Sequence, residues 1–202
     1  MSATELYLAH MNTVTKVHVE IITEIESEAD RIKVMPVVFR DETREINSRR
    51  FPFSFEQRRQ KINEVFEDRV EVTDDYTFLA PFRRYLPPRL SPGSWKLRRQ
   101  ILRGVEGDYF TYTGDKAEGY MLKLYMLKPR VGTRRPLSAT SAKQRLYQAA
   151  AGMDSDWQDD VPQGVAEIIE KDWKTVTKFA SIEDRTVRVA GMKFPRDGYW
   201  HK

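Results

Sequence analysis

The sequence predicts an α/β fold built on a mostly parallel, doubly wound sheet, and three observations carry the prediction. Short apolar or β-branched runs at 6–11, 31–39, 69–73 and 108–113 alternate with helix-length segments. The segments between them are long enough for the crossovers that parallel pairing requires. The chain has 202 residues and is 40% hydrophobic, enough to bury one sizeable core with a small appendage.

Leu6 to Met11 reads as a buried strand, followed by a polar turn at Asn12 and Thr13. Over 14–29, Val14, Val17, Ile21, Ile22, Ile25 and Ala29 recur at helical spacing with Glu20, Glu24 and Glu28 opposite, which makes an amphipathic helix. The run 31–39 (RIKVMPVVF) reads as a second strand parallel to the first, with Pro36 marking a bulge or an early edge. A polar loop containing Arg40, Arg44, Arg49 and Arg50 precedes a helix over 54–67. Ser54 is its N-cap and Gln57 closes a capping box.

A third strand is expected over 69–73, stopped by Asp74 and Asp75. The Pro- and Arg-rich stretch 79–93 reads as an ordered loop. Then come a helix over 94–105, a strand over 108–113 running into Gly114-Asp115, a helix over 116–127, an extended segment over 130–137 and a helix over 138–151 stopped by Gly152. One further helix is expected over 161–176, with Pro162 near its first turn. Residues 180–202 show no period, although Phe194 and Trp200 are expected to pack on the body. The chain therefore divides into an α/β domain over 1–160 and a C-terminal helix and tail over 161–202.

There are no cysteines, which excludes thiolate metal sites, cysteine nucleophiles and disulfides and fits a cytoplasmic protein. No apolar run is long enough to span a bilayer, and the N-terminus lacks the apolar region of a secretory signal. Net charge is +4, but the distribution says more: 83–103 and 128–145 are basic and free of acids. Two such stretches on a balanced chain point to a polyanionic ligand, unless they form only a solvated face.

In a doubly wound sheet ligands bind beyond the carboxyl ends of the strands, where free N–H groups and helix dipoles attract phosphate. His18 falls about one turn into the helix that follows the first strand. Neither a P-loop nor a Gly-x-Gly-x-x-Gly fingerprint is present. His10 lies on an apolar strand and reads as a core residue. Two distant stretches, Thr15-Lys16-Val17-His18 and Leu137-Ser138-Ala139-Thr140-Ser141-Ala142-Lys143, acquire meaning together. The pair resembles the nucleotidyltransferase superfamily of cytidylyl- and adenylyltransferases, with its His/Thr-x-Gly-His motif after strand one and its Ile-Ser-x-Thr-x-x-Arg/Lys motif before a late helix. Phe53 to Arg58, Thr111 to Asp115, Ala150-Ala151-Gly152 and Val161-Pro162 are similar to further stretches of that family, and the likeness covers roughly residues 5–176. Val17 stands at the motif glycine, and Lys143 holds the last motif position without the bidentate fork of an arginine.

The resemblance implies a Rossmann-like nucleotidyltransferase fold with a C-terminal helical extension. It implies in-line attack by a phosphorylated acceptor, such as nicotinamide mononucleotide, on the α-phosphorus of a nucleoside triphosphate, with pyrophosphate leaving. His18 and Lys143 would be catalytic. Thr13, Thr15, Lys16, Gly114, Asp115, Ser138 and Thr140 would bind the nucleotide, and Arg40, Arg49 and Arg50 the acceptor. Mg²⁺ would be held mainly by the phosphates, with no metal-ligand cluster in the chain. Adenylyl transfer from ATP ranks first, and cytidylyl transfer from CTP and a catalytically inactive nucleotide-binding protein are the alternatives. Nucleic-acid binding through 83–103 ranks lowest because prolines interrupt the stretch, and no membrane partner is expected. Members of the family are often homo-oligomers.

Overall fold

The computed structural model describes residues 3–42, 44–133, 135, 137–189 and 191–200. The first strand, β1, runs Ala3–Ala9, and α1 follows at Lys16–Glu26. β2 is Arg31–Pro36, β3 Val38–Asp41 and β4 Arg44–Glu45. α2 is Phe55–Phe66, with the expected Ser54 cap and Gln57 capping box. β5 is Glu71–Val72, β6 Thr77–Leu79, α3 Pro92–Ile101 and β7 Asp108–Thr113. α4 is Lys116–Leu124, β8 Pro129–Val131 and α5 Ala139–Ala150. α6 (Gln163–Lys171), α7 (Trp173–Ala180), β9 (Thr186–Val189) and β10 (Met192–Pro195) complete the order.

The main sheet is parallel throughout, ordered β5-β2-β1-β7-β8. Its strands therefore run outward from β1 in both directions, and the reversal falls between β1 and β7, which pair from Ala3↔Asp108 to Tyr7↔Tyr112. A crevice is required where the connections from two neighbouring strands diverge to opposite faces. Period-2 alternation covers both faces. Tyr7, Ile32 and Val34 enter one core with Ile22 of α1, Ile62 of α2 and Val165 of α6. Leu6, Leu8 and Met35 enter a second core with Leu97 of α3 and Met121 of α4. No helix among the described residues is long and apolar enough to cross a membrane.

The structure corrects the expected elements in three places. The run 31–39 is two strands in two sheets. β2 stays beside β1 as far as Ala9↔Pro36, and β3 joins a small sheet ordered β4-β3-β6. Arg58 holds this turn-off by donating to the carbonyls of Val37 (2.6 Å) and His10 (3.0 Å). The segment 161–176 is two helices, broken at Asp172, whose N–H closes α6 on Ile168 and Ile169 while its carboxylate accepts from Thr175 (2.9 Å) and Gln57. The tail is a β-hairpin, β9 paired antiparallel with β10. Met192, Phe194 and Tyr199 are buried in the second core, whereas Trp200 is half exposed.

Gly191, at the hairpin turn, has φ +86°, and a Cβ there would collide with Cβ of Ala117 on the first turn of α4. Gly191→Ala is expected to cost about 1–2 kcal/mol through the left-handed backbone alone. Urea denaturation checks this. Adding Ala117→Gly should recover only the part owed to the collision.

Candidate active site in the crevice between β1 and β7

The turn after β1 is held by Asn12, whose Nδ2 donates to the His10 carbonyl (3.2 Å) and whose Oδ1 accepts from the Phe53 N–H (3.4 Å). The chain then enters α1 through Thr15, its N-cap. The Thr15 N–H donates to Nδ1 of His18 (3.0 Å), and the Thr15 hydroxyl lies 2.8 Å from the same nitrogen. An amide can only donate, so Nδ1 accepts and the neutral ring carries its proton on Nε2. Burial lowers the His18 pKa to about 4, so the ring is neutral near pH 7. The helix cap thus presents one N–H donor on the edge of the ring opposite Thr15.

His18 lines a crevice of about 570 Å³ at the carboxyl ends of β1 and β7, together with Thr15, Gly114, Asp115, Ser138 and Thr140. Each position has a local cause. Asp115 caps α4, its Oδ1 accepting from the N–H groups of Ala117 (2.8 Å) and Glu118 (3.2 Å). Ser138 caps α5, its Oγ accepting from the Ser141 N–H (3.0 Å). Three helix N-termini, those of α1, α4 and α5, therefore border one crevice, an arrangement that favours anions.

Other residues singled out in the sequence lie elsewhere. Thr13 is buried beneath the turn, its Oγ1 without a partner among the described residues, and exposed Lys16 is off the crevice wall. Lys143 turns behind the wall and donates to the Arg50 carbonyl (2.5 Å), and burial is the first cause that lowers its pKa to about 7. Arg40 pairs with Asp74 (3.0 Å). Arg49 caps the end of α7 through the carbonyls of Phe179 (3.3 Å) and Ile182 (3.1 Å). Arg50 pairs with Asp184 (3.2 Å). The three arginines are not in the crevice wall. Of the basic stretch 128–145, Lys128, Arg130 and Arg145 pair with Asp108, Glu28 and Asp160, and Arg135, which does line the crevice, pairs with Glu24.

The crevice also holds residues that the sequence did not single out as ligands. His10 lines it, with Nδ1 buried and unpartnered among the described residues. The one signal for it was its place at the carboxyl end of a strand. Lys193, from the aperiodic tail, also lines it. Glu118 accepts from Thr113 Oγ1 (2.8 Å) and Tyr76 OH (3.2 Å), and burial pushes its pKa up to about 7. A wider groove of about 1130 Å³, lined by Arg44, Gln57, Lys178 and Arg196 among others, is away from the ends of β1 and β7 and includes one helix N-terminus, that of α2 at Ser54, where the crevice has three.

No protein-family model matches the chain, and no curated protein matches it by sequence. Its fold does match solved structures, adenylyltransferases among them. One is a bifunctional NMN adenylyltransferase/ADP ribose pyrophosphatase from Francisella tularensis complexed with AMP and a Mn ion. It is 12% identical, with a TM-score of 0.63 over 90% of this chain and 52% of that one. A second structure of that enzyme is 13% identical with a TM-score of 0.64, over 90% of this chain and 53% of that one. Plasmodium falciparum nicotinic acid mononucleotide adenylyltransferase complexed with NaAD is 13% identical, over 87% of this chain and 98% of that one, with a TM-score of 0.49. The chain spans about half the length of the Francisella enzyme, and at these identities what is shared is the fold.

Proposed function

We propose that the chain is a nucleotidyltransferase that moves AMP from ATP to a phosphorylated small-molecule acceptor such as nicotinamide mononucleotide. The observation that carries this reading is the Thr15–His18 pair, which keeps a neutral ring with Nε2–H as its donor at the reversal point of the sheet. The reaction asks for little else. An acceptor phosphate oxygen forms a bond to the α-phosphorus, the bond to the β-phosphate oxygen breaks, and pyrophosphate departs. The protein's task is to align two anions and to meet the charge that grows on the α-phosphate. His18 donates there, and the N-terminus of α5 with Ser138 and Thr140 takes the departing phosphates.

Among the described residues no three His, Asp or Glu side chains are grouped to hold a metal. The donors that fit Mg²⁺ in this reading are the phosphate oxygens of the triphosphate, and when bound the ion would offset their charge.

One observation supports the inactive alternative: Val17, at the first turn of α1, puts its side chain in the crevice wall where a glycine would leave backbone. Pyrophosphate release, assayed with Mg²⁺ and each of ATP, CTP, GTP and UTP against a panel of phosphorylated acceptors led by nicotinamide mononucleotide, decides between them. Release with ATP and one acceptor is expected. Release with CTP alone would make the chain a cytidylyltransferase. Triphosphate binding without release would favour the inactive reading, and no binding would end both.

A further inference from the structure

The two walls of the crevice differ in kind. His18 belongs to the face of the first core, beside Tyr7 at 6.4 Å between ring centroids. His10 belongs to the other face, its ring 5.0 Å from that of Phe51. On that side the crevice runs on as a narrow extension between the end of β1 and the C-terminal hairpin, bordered by His10, Tyr76, Asp115, Glu118 and Lys193. The hairpin is anchored by alternation: Met192 and Phe194 are buried in the second core, so Lys193 between them faces the opposite way, into the crevice. Gly191 sets the hairpin turn tightly against α4.

Lys193 is on this wall, and Arg50 and Lys143 lie behind it, with Asp184, Asp115 and Glu118 as the carboxylates nearest the three cations. Arg50 immediately precedes Phe51, and its carbonyl takes the Lys143 ammonium at 2.5 Å. Asp184 pairs with Arg50 at 3.2 Å. Among the described residues no carboxylate is within ion-pair distance of Lys143 or Lys193. Two polar atoms here, Nδ1 of His10 and Nε of Arg50, are buried with no partner among the described residues. Native structures leave few such atoms unpaired, and an unpartnered His10 Nδ1 beside Lys193, which has no ion-pair partner among the described residues, leaves room there for an anion. The electrostatics agree. Burial, followed by neighbouring cations that include Lys193 and Lys143, lowers His10 to about 3, and burial and then Arg50 depress both lysines. On the other side, Asp115 and Glu118 of α4 face Lys193 and keep part of its charge.

We propose that His10 at the end of β1 and Lys193 on β10 form a second anion subsite, which takes a phosphate group carried by the acceptor, with Lys143 and Arg50 supplying charge from behind. Lys193 is thereby a specificity-determining residue, contributed by a segment outside the stretch that resembles the nucleotidyltransferases. The subsite rests on the transferase reading for the identity of its occupant. Phosphate as such could also arrive as the tail of the triphosphate, and the test separates the two sources.

The full chain is titrated calorimetrically with α,β-methylene-ATP and Mg²⁺, and then, with that analogue saturating, with inorganic phosphate. Phosphate is expected to bind the loaded protein. Lys193→Gln should weaken it about tenfold or more, the scale of one charge-assisted contact. Lys193→Arg should restore it, and Lys193→Gln should weaken the analogue by a much smaller factor than it weakens phosphate. Equal phosphate binding by wild type and Lys193→Gln would overturn the subsite. So would phosphate that binds only the empty protein and is displaced by the analogue, because the cluster would then hold the triphosphate's tail. If the analogue fails to bind while Lys193-dependent phosphate binding persists, the subsite stands and the transferase reading falls.

Discussion

His18→Ala is expected to lower the rate of pyrophosphate release roughly 100- to 1000-fold, equivalent to about 2.7–4 kcal/mol of lost transition-state stabilisation. The triphosphate should still bind within a small factor, since the N-terminus of α5 remains. A large effect is expected because the donor is fixed before substrate arrives. Thr15 occupies Nδ1, burial keeps the ring neutral, and little reorganisation is needed as charge develops. His18→Gln keeps an N–H donor without the ring and should recover part of the loss. Single-turnover release and calorimetric binding, measured on the same preparations, separate the two effects. A variant that loses binding and rate equally would make His18 a ground-state contact only.

Arg58→Met should destabilise the fold by about 3–5 kcal/mol, the range for removing one member of a buried ion pair. Arg58 is 2% exposed and reaches four groups: the carbonyls of Ser54 (3.3 Å), His10 (3.0 Å) and Val37 (2.6 Å), and Glu45 (3.0 Å). Those groups lie on α2, the end of β1, the break between β2 and β3, and β4. Removing the guanidinium leaves two strand-end carbonyls and a partly buried carboxylate to be satisfied elsewhere. Arg58→Lys keeps charge but cannot fork to this many acceptors, so its loss should be intermediate. Urea denaturation gives the magnitude. Adding Glu45→Gln to Arg58→Met should recover part of it, because the stranded charge is then gone. An unchanged midpoint for Arg58→Met would show that the break after Pro36 is held by other contacts.

Local chemistry made much of this chain legible from its sequence. The strand at 108–113 coincides with β7, and Ser54 caps α2 where its side chain predicts. These features depend on neighbours within a few residues, through side-chain period and orphan N–H groups. The same is true of Thr15 and His18, three apart on one helix turn. The crevice follows from strand order, which alternating elements already suggested.

Contacts between distant residues decided the rest. The run 31–39 looks continuous, yet it divides where Arg58, 21 positions beyond Val37, takes that residue's carbonyl. The helix expected over 161–176 breaks at Asp172 because Gln57 and Thr175 share its carboxylate. Arg40 and Arg49 resemble parts of an anion site in one dimension, but in three they meet a carboxylate and carbonyls, and Arg50, paired with Asp184, lies behind the crevice wall. Lys193 had no period and no motif, and it enters the crevice only because Met192 and Phe194 bury in the second core. By itself, then, the sequence determined the parallel sheet, its helix caps and the His18 wall, all products of short-range geometry. Tertiary structure alone decided which cations meet carboxylates and which are left facing the crevice, because charge pairing depends on distances across the fold that chain spacing does not encode.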